Sequence, residues 1–174
     1  MVTHFFVTNP SSIQVGVAQG AVWIKVEGKG SFQNSTSLKE FSKEMVARGH
    51  RHFVIDLNAC PVMDSTFMGT LAGLALKIRT EGTGEIQVIN LNERNHSLLC
   101  NLGLDQLLKV ENSQGSAVET QVQTHALTAA ATDKLTEATT MLEAHEAVVA
   151  VAPENVTKFK DVLEFLRQDI QARQ

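Results

Sequence analysis

Cysteine is scarce: Cys60 and Cys100 are the only two in 174 residues. They stand far apart with no CxxC spacing, which argues against a disulfide framework or a zinc ribbon and leaves reduced thiols as the expectation. Basic tracts and basic-aromatic interleaving are also missing, and the formal net charge is -4 with a pI near 5.8. Nucleic acid is therefore not an expected partner. No run approaches the roughly 18 apolar residues that a membrane helix needs. The start, Met1 to Phe6, has no charged segment leading into a long apolar one. A cytoplasmic protein with no membrane insertion is the expectation.

Metal and cofactor motifs fail in the same way. His50 and His52 flank Arg51 on a strand entry, but no carboxylate or cysteine nearby completes a ligand set. His145-Glu146 begins a zinc-protease pattern whose second histidine would fall at Val149. Gly28-Lys29-Gly30-Ser31 lacks the upstream glycine of a phosphate loop, having Trp23 there, and places Gly30 where Ser or Thr should follow the lysine. No Ser/His/Asp set or carboxylate pair stands out, so no metal, no cofactor and no enzymatic activity are expected.

What remains is a globular composition, 43% hydrophobic and 20% charged. Ser11 to Glu27 alternates as a hairpin about Gln19-Gly20. Asn34 to Arg48 has helical spacing through Leu38, Phe41 and Met45, with Ser35 or Asn34 as N-cap and Gly49 as stop. Phe53 to Leu57 is a strand, and Phe67, Leu71, Leu74, Ala75 and Ile78 form a helical stripe that ends at Glu81 to Gly84. Ile86 to Leu91 is another strand. Asn92 caps a short helix with His96, Leu99 and Cys100 on its inner face, and Leu107 to Val110 is a last strand. Alternating strands and helices define an α/β fold with a mostly parallel sheet.

Glu111 to Thr124 reads as linker or irregular edge. Beyond it, Leu135, Ala138, Leu142, His145 and Val149 form one helical stripe. After a break at Ala152-Pro153-Glu154, Val156, Phe159, Leu163, Leu166 and Ile170 form another. These two amphipathic helices form an antiparallel hairpin or a face awaiting a partner, a homodimer through the C-terminal helices included. His145 on the first stripe reads as a packed or interfacial histidine.

The most informative stretch is Phe53 to Leu71: a strand, a turn with Asn58 and Pro61, then Asp64-Ser65-Thr66 before a helix. Asp64 or Ser65 can serve simply as a cap. Hydroxyls at a helix start also stand where unpaired N–H groups and the positive end of the helix dipole suit an anion such as a phosphoryl group. Asp56, near the end of the strand, orders the following loop or supports the Asp64 loop.

The strand I-D-L, the segment P-V-M-D-S-T-F-M-G-T-L-A-G-L, the strand G-E-I-Q-V-I-N-L and the closing N-L-G-L-D-Q-L-L together resemble the STAS domain of bacterial anti-sigma factor antagonists and sulfate transporters. The likeness runs from about Ile13 to Val110. It implies a mixed sheet, an antiparallel N-terminal hairpin joined to parallel strands, with helices mainly on one face and a C-terminal helical extension. The expected division is a STAS-like domain over 11–118 and a helical hairpin over 125–174, whose first helix is a candidate for the helix that ordinarily closes the fold.

The resemblance also implies a function: a non-enzymatic signalling protein that regulates transcription by partner switching. Its partner would be an anti-sigma factor that is also a serine kinase of the histidine-kinase-like ATPase fold, with a PP2C-type phosphatase to reverse the modification. Matched position by position, Ser65 is the phosphoacceptor, with Thr66 second, and Asp64, Ser65, Thr66, Phe67 and Met68 form the partner-binding loop. Family members carry Gly-x-Gly after the two hydroxyls; here Phe67 takes the first glycine's place and Gly69 the second's. The alternative is a constitutive STAS scaffold subunit of a stress-signalling or lipid-transport complex.

Overall fold

The computed structural model describes residues 11–111, 121–128 and 131–174. Strands β1 (Ser12–Ala18) and β2 (Ala21–Glu27) form the antiparallel hairpin, its turn made by Gln19 and Gly20, both with positive φ. Helix α1 (Phe32–Ala47) leads to β3 (His52–Ala59), α2 (Ser65–Glu81) and β4 (Glu85–Ile89). Helix α3 (Glu93–Asn101) and a 3-10 turn (Leu104–Gln106) precede the short β5 (Lys109–Val110). Then follow β6 (His125–Ala126), α4 (Lys134–Val151) and α5 (Asn155–Arg173).

The sheet order is β5-β4-β3-β2-β1-β6. Pairing is parallel from β5 through β2 and antiparallel at β1 with both β2 and β6. In β2, Val22, Ile24 and Val26 are buried while Trp23 and Lys25 on the opposite side are half-buried. This period-two pattern turns one face of the sheet toward a core of Ile24, Phe53, Ile55, Leu57, Phe67, Leu71 and Ile78. The mixed sheet with its hairpin, the parallel strands and the C-terminal helices agree with the fold expected from the sequence.

Several boundaries and faces differ from expectation. Helix α1 begins two residues before Asn34, because Ser31 and Asn34 form a reciprocal capping box. The inner face of α3 is Asn95 and Leu99, while Cys100 is exposed and His96 half-buried. Asn95 is buried because its side chain is fully used: Oδ1 accepts from the Met63 N–H at 3.2 Å and Nδ2 donates to the Cys60 carbonyl at 2.9 Å. Strand β5 is shorter than predicted, since the N–H groups of Leu107 and Leu108 both donate to the Leu104 carbonyl at the end of the 3-10 turn instead of joining the ladder with β4. Most of the linker expected at Glu111 to Thr124 lies outside the described residues.

Helix α4 closes over α2, and α5 packs against α4. The inner face of α4 carries Ala138, Thr140, Ala144, His145 and Val148, whereas Leu135, Leu142 and Val149 of the predicted stripe are only half-buried. Small residues set the phase because α4 lies so close to α2 that a Cβ on Gly69 would overlap the Ala144 carbonyl. Thr36 Oγ1 donates to Thr140 Oγ1 at 3.1 Å, and Lys39 pairs with Glu143 at 2.6 Å, so α1 also grips α4. In α5, Leu163 and Leu166 are buried, while Val156 of the predicted stripe is exposed.

Candidate functional site

The loop between β3 and α2 is fixed at both ends before it delivers Ser65. Asp56 Oδ1 accepts from the Asn58 N–H at 2.9 Å and from Asn90 Nδ2 at 3.0 Å, so it orders the start of this loop and ties it to the end of β4. Asp56 thus acts at the start of the loop and Asp64 at its end. Asn92 Nδ2 donates to the Pro61 carbonyl, and Asn95 holds Cys60 and Met63 as described.

Asp64 is the N-cap of α2, its Oδ1 accepting from the Phe67 N–H at 2.8 Å. Its second oxygen, Oδ2, accepts from the Phe32 N–H at 2.9 Å in the first turn of α1. One carboxylate thus spans two helix starts, each contributing the positive end of its dipole. The backbone joins them again: the Gly30 N–H donates to the Val62 carbonyl at 3.0 Å, and the Asp64 N–H to the Gly30 carbonyl at 2.8 Å. Gly30 is needed for this approach, since a Cβ there would lie 2.8 Å from Cδ1 of Phe67.

Ser65 opens α2 and is half-buried. Its hydroxyl does not stand free in water: Oγ lies 3.0 Å from Nε2 of His145 on α4. His145 is 5% exposed and turns its other ring nitrogen, Nδ1, to the Met141 carbonyl at 2.7 Å. A carbonyl only accepts, so Nδ1 carries the ring hydrogen; in the neutral ring Nε2 then accepts from the Ser65 hydroxyl. The imidazole also meets the Phe159 ring of α5, with centroids 5.3 Å apart at 58°.

The rest of the predicted loop faces inward. Thr66 is 6% exposed, Phe67 0% and Met68 3%. Phe67 fills the space above Gly30 and belongs to the core, and Met68 is buried as well, so neither side chain faces outward. Asp64, Ser65 and the exposed Phe32 of the neighbouring helix start form the accessible part.

Sequence reasoning missed His145 as a neighbour of Ser65 and found no serine-histidine pair, because 80 positions separate the two. Apolar spacing marked His145 as facing inward but could not say against what. It also missed Asn95, which hydrophobic periodicity passes over. Among the described residues no group of three or more His, Cys, Asp or Glu is placed to hold a metal ion. No described helix is long and apolar enough to cross a membrane.

Solved structures share this fold at low identity. The crystal structure of a Thermotoga maritima protein, TM1081, described as a candidate anti-sigma factor antagonist, aligns with a TM-score of 0.54 at 16% identity, over 59% of this chain and 87% of the other. The NMR structure of TM1081 aligns at 0.52 and 17% identity, over 64% and 86%. The Bacillus anti-sigma factor antagonist SpoIIAA in its unphosphorylated form aligns at 0.50 and 12% identity, over 59% and 89%. No curated protein matches the chain. The STAS domain family model matches residues 12–117, from the first strand of the hairpin past β5, and leaves α4 and α5 outside the matched segment. The chain is a member of the STAS domain family.

Proposed function

We propose that this protein is a non-enzymatic partner-switching regulator of the anti-sigma factor antagonist kind, controlled by phosphorylation of Ser65. The observation that carries the reading is the position of Ser65: a half-buried residue that opens α2, next to the Asp64 carboxylate that joins two helix starts. Phosphate there adds about -1.5 to -2 charge where helix dipoles favour it. A partner surface presenting carboxylates or packed apolar groups to Asp64, Ser65 and Phe32 would be repelled. Thr66 is the weaker candidate because it is nearly fully buried.

The partner in this reading is a serine kinase of the histidine-kinase-like ATPase fold that doubles as anti-sigma factor, in the cytoplasm, with a PP2C-type phosphatase resetting the switch. Unmodified protein binds and phosphoprotein releases. Mass spectrometry of the protein from its own cell, and after incubation with a serine kinase of that fold from the same organism, tests this. Phosphate on Ser65 is expected; its absence from both samples overturns the switch.

A second reading, a constitutive scaffold subunit of a stress-signalling or lipid-transport complex, is favoured by the apolar surface of α5, where Phe165 is 66% and Val162 38% exposed. Ser65→Ala separates the two. It locks partner binding if the switch operates and leaves binding unchanged in a scaffold.

A further inference from the structure

We propose that His145 is the base that accepts the Ser65 proton when that hydroxyl is phosphorylated, an inference that rests on the reading of Ser65 as phosphoacceptor. The three parts of an activated nucleophile are present. The hydroxyl oxygen lies 3.0 Å from Nε2, and Nδ1 is held at 2.7 Å by the Met141 carbonyl, which fixes the ring so that the Nε2 lone pair faces Ser65. The Phe159 ring and the burial of the imidazole keep it in that orientation. The third member is a carbonyl, which orients the ring without adding a charge.

In the transfer, the bond from Oγ to the γ-phosphorus of the kinase's nucleoside triphosphate forms as the bond from that phosphorus to the β,γ-bridging oxygen breaks. The electron pair leaves with the nucleoside diphosphate, and the hydroxyl proton moves to Nε2. The kinase then needs to supply the nucleotide, its metal and its positioning, while the substrate brings its own base. This places a determinant of phosphorylation on α4, outside the segment that the family model matches.

Methanesulfonyl fluoride tests the base without any partner. Attack by Oγ forms an oxygen–sulfur bond, fluoride leaves, and the proton again goes to Nε2. The full chain is treated with the reagent and the sulfonylated serines are quantified by peptide mass spectrometry against the exposed Ser97 of α3. Ser65 is expected to react at least about ten times faster than Ser97, to slow about 10- to 100-fold in His145→Gln, and to react more slowly in D2O. Glutamine keeps an acceptor for the hydroxyl but cannot take its proton, so a purely structural role for His145 would survive the change.

Equal rates at Ser65 and Ser97, or in wild-type and His145→Gln, overturn the proposal. The deuterium comparison needs no variant, and equal wild-type rates in H2O and D2O overturn it as well. Fast sulfonylation of a Ser65 that never receives phosphate from the kinase upholds the base and overturns the phosphoacceptor reading. Equal kinase phosphorylation of wild-type and His145→Gln overturns the base alone.

Discussion

Gly69 of α2 lies against the backbone of Ala144 of α4, with no room between them for a methyl group. The neighbouring residue on α4 is His145, so this contact sets how far the imidazole stands from Ser65. Gly69→Ala should push the helices apart, with a loss of about 1–3 kcal/mol on chemical denaturation. Gly73→Ala one turn later is the control. A Cβ there would meet Ala147 Cβ at 3.8 Å, an ordinary contact, and should stabilise by about 0.5–1 kcal/mol through higher helix propensity.

Asp64 caps α2 with one oxygen and holds α1 with the other. Asp64→Ala should cost about 1–3 kcal/mol, because it removes a cap and a second charge-assisted bond together. Asp64→Ser, which keeps a cap but has a single oxygen, should recover only part of that loss. Thermal melts of the three proteins check the order.

These two sites differ in how far the sequence foretold them. Asp64 as a cap was legible, since an Asp-Ser-Thr run followed by helical apolar spacing has few other local meanings. Its second bond was not, because Phe32 belongs to a helix that the apolar stripe, beginning at Leu38, places later than it starts. The contact of α4 with α2 was hidden for a related reason. Hydrophobic periodicity finds the largest side chains, and this interface is built where side chains are smallest, at Gly69 against Ala144 and Gly73 against Ala147. The hairpin and the β3, α2 and β4 segments were readable because each carries its own local pattern. Strand β6 has only two residues and is recognisable only by what it pairs with.

Asn95 makes the loop before Ser65 depend on α3. Asn95→Leu would leave the Met63 N–H and the Cys60 carbonyl without their buried partners. A loss of about 2–4 kcal/mol is expected, with faster amide exchange at Met63 than at residues in β4. Exchange unchanged at Met63 would show that the loop holds without Asn95.

The two thiols should respond very differently to iodoacetamide. Burial raises the pKa of Cys60, against weaker opposing hydrogen bonds from the Gly30 and Val62 backbone and from Asn95. Cys100 is exposed, and its pKa is raised first by desolvation and then by the charge of Asp105. At pH 7 the native protein should be alkylated at Cys100 alone, more slowly than a free cysteine, with Cys60 reacting only in denaturant. Peptide mapping after timed quenching reads both.

The start of α4 should be acid-sensitive. The Thr136 N–H donates to Asp133 Oδ1 and holds this carboxyl below its ordinary pKa. A group whose pKa is lowered by folding supports the fold above its unfolded value, and that support fades as pH falls through the lower folded value. Below about pH 4, amide exchange at Thr136 should therefore accelerate, while Asp133→Asn should show little change over the same range.

The final consequence concerns the margins of the sheet. Strand β1 would present an open row of peptide groups, but β6 returns to it: Gln14 pairs with Ala126, Val15 with His125, and the Leu127 N–H donates to the Ile13 carbonyl at 2.7 Å. At the opposite margin, β5 offers only two residues. Both margins therefore end in two-residue strands, too brief to template a foreign strand, which guards against strand-to-strand aggregation and leaves association to helical surfaces.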